Sequence, residues 1–215
     1  MSSNYKDIWT KAGGEGTKFW NTVDFNHPDY KKQEQIFRGF LHGFKYIMGY
    51  GIHKGKVESV LELGAGTGRM TKIMFEMFPD IKRYEITDVR PQNFNVTKFS
   101  KMTLANLTSY NMDISGEEFN HIMRGKLYDF ILASEVFMHI KTEDIERVIK
   151  SVTNLLAPNG GTILNIDWSV QAPEHSTWCY IHDYGKLYRE NGLKCIFEAD
   201  IPEIKQKLFC YGSGA

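Results

Sequence analysis

A glycine-rich run that follows an apolar strand pattern constrains this chain more than any other feature. Residues 60–69 read Val-Leu-Glu-Leu-Gly-Ala-Gly-Thr-Gly-Arg. Glycine lets the backbone turn sharply, and it lets a ligand approach the main chain without interference from a Cβ atom. The helical pattern that comes next offers amide N–H groups at its N-terminus to a polar ligand. The run therefore predicts a nucleotide-type site between a strand and a helix.

Length and charge narrow the class of protein. The chain has 215 residues, which suits one domain with an N-terminal extension. It carries 26 basic and 26 acidic side chains, so its formal net charge is zero. A protein that binds the phosphate backbone usually carries a basic excess, so we expect no nucleic-acid partner.

Three further features predict a soluble, cytoplasmic protein. The cysteines at positions 179, 195 and 210 show neither CxxC spacing nor an even count, which is typical of reduced thiols. The first seven residues are polar and lack the apolar segment of a signal peptide. No apolar run approaches the roughly 20 residues that span a bilayer, so we expect no membrane partner.

Strand and helix patterns alternate from Val57 onward. Apolar runs predict strands at residues 57–63, 81–87, 107–112, 128–133, 162–166, 193–199 and 207–211. Helical spacing predicts helices at residues 70–77, 92–101, 142–156 and 183–191, with Thr142 as the cap of the third. Such units predict an α/β fold with a mostly parallel sheet, helices on both faces and an antiparallel closing pair.

The first fifty residues form an extension to this domain. They include the aromatic side chains Trp9, Phe19 and Trp20, and residues 30–50 have helical apolar spacing. A solvated tail would not usually carry so many large aromatics. We therefore expect the extension, residues 1–50, to fold back on a domain of residues 51–215 and to act as a lid that excludes water.

Ligands of open α/β sheets bind beyond the carboxyl ends of the strands, where the strand order reverses. A dinucleotide fold would place glycine where Arg69 stands, which argues against a nicotinamide-dependent oxidoreductase. Asp88 is placed to accept both ribose hydroxyls, and Asp113 to accept from an exocyclic amine. The segments that this rule selects at strand ends are Glu62–Gly68, Asp88, Asp113, Ser134–His139 and Asp167–Trp168.

Over about residues 57–211, the ordered motifs resemble those of the class I S-adenosylmethionine-dependent methyltransferases. Residues 61–68 look like the first cofactor motif, and Ser134–Ile140 resembles the segment after the family's fourth strand. The resemblance implies a Rossmann-like, doubly wound, seven-stranded sheet with an antiparallel final strand. It also implies S-adenosyl-L-methionine as cofactor and methyl transfer as activity. The cofactor-binding residues that it implies are Glu62, Gly64, Ala65, Gly66, Thr67, Gly68, Asp88, Val89, Asp113, Ile114, Ser134 and Glu135.

Candidate catalytic residues follow the fourth and fifth strands. His139 stands four residues after Glu135, so one helical turn would place a base and its orienting partner on one face. His182 is the other candidate, and both histidines also have a purely structural interpretation. The side chains predicted to wall an acceptor pocket are Trp20, Asp167, Trp168, His175 and Trp178.

We expect a small organic acceptor that is methylated at oxygen or nitrogen. The Asp/Asn-Pro-Pro-aromatic motif of DNA amino-methyltransferases is absent, since residues 134–137 read Ser-Glu-Val-Phe. Glu135 and Asp167 suit two ligands of a metal-dependent relative, but no third is evident, so no metal is expected. The alternatives are a protein N-terminus or another macromolecule as acceptor, and a catalytically silent methyltransferase-like binding protein.

Overall fold

The structure is a computed structural model that describes residues 28–50, 57–90, 94, 99, 104–168, 179–202 and 205–214. Within residues 28–50, side chains are described for residues 31–45. The predicted pocket residues Trp20, His175 and Trp178 lie outside the described residues, as does most of the helix predicted at residues 92–101.

Seven strands form one sheet, in the order β3-β2-β1-β4-β5-β7-β6. Every neighbouring pair from β3 to β5 is parallel, whereas β7 runs antiparallel to both β5 and β6. This confirms the predicted mostly parallel, Rossmann-like sheet with its antiparallel final strand. The strands are β1 (Ser59–Leu63), β2 (Arg83–Asp88), β3 (Leu107–Asn111), β4 (Phe130–Ser134), β5 (Thr162–Trp168), β6 (Lys194–Ile201) and β7 (Gln206–Gly212).

Helices cover both faces of the sheet, as predicted. The described helices are α1 (Pro28–Tyr50), α2 (Arg69–Met77), α3 (Glu117–Met123), α4 (Ile145–Thr153) and α5 (Tyr184–Glu190). One core packs α3, α4 and α5 on one face, and a second packs α1 and α2 on the other. Strands buried on both faces need continuous apolar runs rather than alternation, which is why β1 and β4 stand out in the sequence.

Helix α1 belongs to the second core. Phe37, Leu41 and Phe44 are almost completely buried, and the Phe44 ring meets Phe130 of β4 edge to face at 5.4 Å. The Arg38 guanidinium also forms a 2.5 Å ion pair with Glu76 of α2. The described part of the N-terminal extension therefore packs on the sheet, while residues 1–27 lie outside the described residues. The division into an extension of residues 1–50 and a domain of residues 51–215, and the lid role, stay predictions.

Two helices differ from the sequence prediction. Helix α4 begins at Ile145 with Asp144 at its N-cap and no side-chain cap bond, so Thr142 as the cap is wrong. Residues 142–144 form a turn, and the Asp144 carboxylate accepts instead from Arg147 over 2.7 Å. Helix α3 was not predicted, because it is seven residues long and buries only Phe119 and Met123. Two apolar positions are too few to show a helical period.

The strand order reverses beside β1. From β1 the chain moves outward through β2 and β3, then returns across the sheet to β4 on the other side of β1. A crevice forms at the carboxyl ends of strands that diverge in this way. The fold therefore places the glycine run after β1 and the segment after β4 on the two sides of one crevice.

Among the helices that the structure describes, none combines the length and the apolar character that a bilayer crossing requires.

Candidate active site

The glycine run forms a tight loop between β1 and α2. The amides of Gly64 and Ala65 both donate to the Thr87 carbonyl, over 2.7 and 3.2 Å. The Gly66 amide donates to Asp88 Oδ2 over 2.8 Å, and Gly66 has a φ of +52°. That left-handed conformation costs a residue with a Cβ atom, so glycine suits it. The loop is thus tied to the end of β2 by backbone and carboxylate together.

Gly68 has a different function from the rest of the loop. It is the N-cap of α2 with a φ of +83°, and a Cβ atom there would lie 2.7 Å from the Phe94 ring. Gly68 is absent from the pocket lining that the described residues form. Its position is explained by close packing and backbone conformation, and its role in cofactor binding stays a prediction.

A pocket opens at the carboxyl ends of β1, β2, β3 and β4. It is lined by all the predicted cofactor-binding residues except Gly68, and by the candidate base His139. These residues come from four separate strand ends, which the sheet topology brings to one crevice. The lining also contains residues outside the segments selected from the sequence, namely Arg69, Met70, Thr87, Arg90, Met112 and Ile140.

Two aspartates on one side of the pocket have defined backbone partners. Asp88 accepts the Gly66 amide on Oδ2 and the Arg90 amide on Oδ1, the latter over 2.7 Å. Burial raises the pKa of Asp88 despite these two bonds. Asp113 accepts from the Ser115 amide over 2.9 Å and from its hydroxyl over 2.7 Å. A carboxylate can accept about four hydrogen bonds, so Asp88 retains capacity for a ligand.

Glu62 lies in the floor of the pocket and is 3% exposed. Its Oε2 accepts from the Thr71 hydroxyl over 2.5 Å and from the Tyr84 hydroxyl over 2.6 Å. Burial raises the pKa of Glu62 to about 7, although both hydrogen bonds and the nearby Arg69 charge oppose the shift. The ionisation state of Glu62 therefore changes near neutral pH, and a positively charged group of a ligand favours the ionised form.

Two buried hydroxyls of the pocket have no partner among the described residues. They are Thr87 Oγ1 at the end of β2 and Ser134 Oγ at the end of β4. Buried polar atoms in proteins are nearly always hydrogen-bonded, so two orphans in one pocket indicate a polar ligand. Together with three acidic side chains and exposed loop amides, they fit a ligand that has hydroxyl and amine donors.

The segment after β4 forms the facing wall. Glu135 has a φ of +58°, which is uncommon for a residue with a side chain, and its Oε1 accepts from Gln206 Nε2 over 2.5 Å. His139 ends a single 3₁₀ turn, Phe137–His139, is 8% exposed and lies 3.7 Å from the Cys179 sulfur through Nδ1. Both residues line the pocket, but a left-handed residue and a 3₁₀ turn join them rather than the helical turn predicted.

Asp167 and His182 are buried behind this wall and are absent from the described pocket lining. Asp167 Oδ2 accepts the Phe137 amide over 3.2 Å and the Asn165 side-chain amide over 2.5 Å. His182 lies 2.9 Å from the Ile140 carbonyl through Nε2, and burial lowers its pKa. The geometry therefore gives both side chains a supporting position beneath the 3₁₀ turn, and their predicted catalytic and substrate-binding roles stay predictions. Trp168, half-buried at the end of β5, is also outside that lining.

The described residues hold no group of three or more histidine, cysteine, aspartate or glutamate side chains arranged to bind a metal ion.

Comparison with known proteins agrees with this geometry. Residues 61–162 match a protein-family profile described as a methyltransferase domain. Over 117 residues, 52% of the chain, the sequence is 31% identical to the lovastatin diketide synthase LovF of Aspergillus terreus, of which the match covers 4%. It is also 29% identical over 105 residues to an uncharacterised methyltransferase of Staphylococcus carnosus, covering 49% of this chain and 45% of that protein. The chain thus spans a small part of the synthase and about half of the bacterial protein.

Solved structures share the fold over almost the whole chain. The N-methyltransferase NodS from Bradyrhizobium japonicum WM9, solved with S-adenosylhomocysteine, has a TM-score of 0.63 at 14% identity and 98% coverage of both chains. The CurJ carbon methyltransferase has a TM-score of 0.68 at 15% identity, covering 98% of this chain and 61% of that chain. The profile match gives residues 61–162 the character of a methyltransferase domain, and the strand order and glycine loop make the chain similar to the class I S-adenosylmethionine-dependent methyltransferases.

Proposed function

We propose that the protein transfers a methyl group from S-adenosylmethionine to a small organic acceptor, at oxygen or nitrogen. One observation carries the proposal: the glycine loop, Asp88, Asp113 and the buried His139 all line the same pocket. The first three suit the donor, whereas a histidine on the facing wall suits the chemistry of an acceptor. A binding module for the donor alone would have no need of that histidine.

We assign three acidic residues of the pocket to three parts of the donor. Asp88, tied to the Gly66 amide, suits the two ribose hydroxyls, and Asp113 suits the exocyclic amine of adenine. Glu62 suits the ammonium group, because a positive partner favours its charged form. The donor, when bound, supplies a methyl group on a sulfonium sulfur, which needs alignment more than activation.

His139 is the proposed general base. A neutral oxygen or nitrogen acceptor loses one proton as its bond to the methyl carbon forms, and an imidazole beside the pocket can take that proton. The sulfur keeps the electron pair of the broken carbon–sulfur bond, so the donor leaves as neutral S-adenosylhomocysteine. Because Asp167 accepts amides of the turn that ends in His139, it acts as a positioning residue in this scheme.

A carbon acceptor is the second candidate. Curated relatives of the sequence include highly reducing polyketide synthases, and one structural neighbour is the CurJ carbon methyltransferase. Transfer to carbon also removes a proton from the acceptor, so the same histidine would serve. The two candidates differ in the chemical class of acceptor and therefore separate in a direct assay.

A cytoplasmic location is part of the proposal. None of the three cysteines forms a disulfide, which suits a reducing compartment.

Methyl transfer from donor labelled in its methyl group, across a panel of acceptors, tests the proposed function. The panel contains phenols, primary and secondary amines, and β-ketoacyl thioesters, with a peptide and a DNA duplex as macromolecular arms. We expect label in a phenol or an amine. Label in the thioester alone would select the carbon candidate, and label only in peptide or DNA would contradict a small acceptor. Donor binding with no transfer to any arm would favour a silent binding protein.

The variant His139→Gln completes the test. We expect kcat to fall by about 10²- to 10⁴-fold, the usual contribution of a general base, with the affinity for S-adenosylhomocysteine little changed. An unchanged kcat would contradict the proposed base.

A further inference from the structure

Two buried glutamines connect residues on the two walls of the pocket. We call Gln33 and Gln206 the amide bridge. Arg69 donates from its guanidinium to Gln33 Oε1, Gln33 Nε2 donates to Gln206 Oε1 over 3.1 Å, and Gln206 Nε2 donates to Glu135 Oε1 over 2.5 Å. Each glutamine is 3% exposed. The bridge joins α1 to β7, although 173 positions separate its members in the sequence.

The two groups at the ends of the amide bridge determine which way each glutamine amide is turned. A guanidinium can only donate hydrogen bonds, and a carboxylate can only accept them. Each glutamine must therefore turn its oxygen toward Arg69 and its nitrogen toward Glu135, and no flipped amide satisfies the chain. Both terminal bonds involve a charged group, which strengthens them relative to a bond between neutral partners. Burial of these two amides without partners would cost free energy, so the arrangement is held as a unit.

The bridge holds one cation and one carboxylate of the pocket in a fixed relation. Arg69 is the first residue of α2, and Glu135 stands after β4 in a left-handed conformation with a φ of +58°. Both line the pocket. A ligand end that carries a carboxylate and an ammonium on one carbon has the complementary pair of charges. The amino-acid end of the proposed donor is such a group.

We propose that the amide bridge positions Arg69 to bind the carboxylate of the donor's amino-acid end, and Glu135 to share its ammonium with Glu62. Gln33 and Gln206 are positioning residues in this account, because neither is among the pocket-lining residues that the structure describes. The inference rests on the proposed function. It makes helix α1 and strand β7 contributors to donor binding, although both lie outside the glycine loop.

Two ligands that differ only at the amino-acid end test the inference. S-adenosylhomocysteine has that end, whereas 5′-methylthioadenosine keeps the adenosine and the thioether sulfur and lacks it. Titration calorimetry with both ligands on the wild type, Gln206→Met and Gln33→Met gives an affinity ratio within each protein. Gln35→Met is the matched control, since Gln35 lies on the same helix and is exposed. A thermal unfolding scan of each variant confirms that it is folded.

We expect Gln206→Met and Gln33→Met to weaken S-adenosylhomocysteine binding by about tenfold and methylthioadenosine binding by less than about twofold. Gln35→Met should change neither affinity. Equal losses for both ligands, or no loss for S-adenosylhomocysteine, would overturn the inference while leaving the proposed function intact. Wild-type protein that binds neither ligand would instead overturn the proposed function.

The double variant Gln33→Met/Gln206→Met protects the test against misfolding. In this protein both amides are absent, so no buried glutamine faces a methionine in place of its hydrogen-bond partner. We expect the same selective loss for S-adenosylhomocysteine in this protein, and an unchanged ratio of the two affinities would contradict the inference.

Discussion

The carboxylate of Asp88 serves two purposes at one position. It holds the Gly66 and Arg90 amides, and it is the proposed partner of the ribose hydroxyls. Asp88→Ala therefore removes the tie between the loop and β2 as well as the ligand contact. We expect S-adenosylhomocysteine affinity to fall by about 2 kcal/mol, or roughly thirtyfold, in a titration of folded protein. Unchanged affinity would refute the ribose assignment.

Glu62 predicts a pH dependence of donor binding. Burial raises its pKa to about 7, so the free protein carries a neutral Glu62 below that pH and a charged one above it. The ammonium group of the ligand favours the charged form. Affinity for S-adenosylhomocysteine should therefore fall by roughly tenfold as the pH is lowered from 8 to 6, since each pKa unit is worth about 1.4 kcal/mol.

Glu62→Gln is the control for this pH dependence, because glutamine keeps an acceptor oxygen and cannot ionise. Its affinity should be lower at pH 8 and nearly constant between pH 6 and 8. A wild-type profile that is equally flat would contradict a change in the ionisation of Glu62 on ligand binding. Arg69 and Asp88 act on the same carboxyl with opposite signs, so neither alone sets its pKa.

At the level of elements, the 3₁₀ turn Phe137–His139 depends on Asp167. The Asp167 Oδ2 atom accepts hydrogen bonds from the Phe137 backbone amide and the Asn165 side-chain amide. Its Oδ1 atom accepts only a longer one, of 3.4 Å, from the Met138 amide. Burial raises the pKa of Asp167 well above its usual range. From these two facts we predict a neutral carboxylic acid, with Oδ2 as the carbonyl oxygen.

A matched pair of variants checks that description. Asparagine reproduces the shape and the carbonyl of a neutral acid, so Asp167→Asn should change the free energy of unfolding by less than about 1 kcal/mol. Asp167→Ala leaves buried donors unsatisfied and should cost about 3 kcal/mol, with a lower kcat because His139 loses its support. Denaturant unfolding at pH 7 measures both. A large loss in the asparagine variant would show that Asp167 is ionised.

Sequence patterns predicted the strong elements well and the supporting contacts poorly. The glycine loop and the acids each stand at or directly after the end of a predicted strand. The rule that ligands bind at strand ends was therefore enough to predict that they share one pocket. Gln33 and Gln206 meet only after the sheet has formed, and no spacing rule links positions 173 residues apart. His182 and Asp167 have reactive side chains, but their burial depends on how α5 and β5 pack, which periodicity does not show.

On the scale of the whole molecule, the strand order gives the pocket its two sides. The reversal beside β1 leaves the loop after β1 facing the segment after β4, and β2 and β3 add the two aspartates. The alternation of strand and helix patterns predicted the parallel strands of this sheet, because parallel strands need crossover helices. The predicted binding site for the acceptor has no such counterpart, because several residues predicted to form it lie outside the described part of the chain.

The central claim is that this pocket binds S-adenosylmethionine rather than another nucleotide. Titration calorimetry with S-adenosylhomocysteine and with NADH, on the same protein preparation, tests it most directly. We predict that S-adenosylhomocysteine binds at one site with a Kd in the micromolar range or tighter, about −8 kcal/mol, and that NADH shows no measurable heat of binding. Binding of NADH with no binding of S-adenosylhomocysteine would contradict the account.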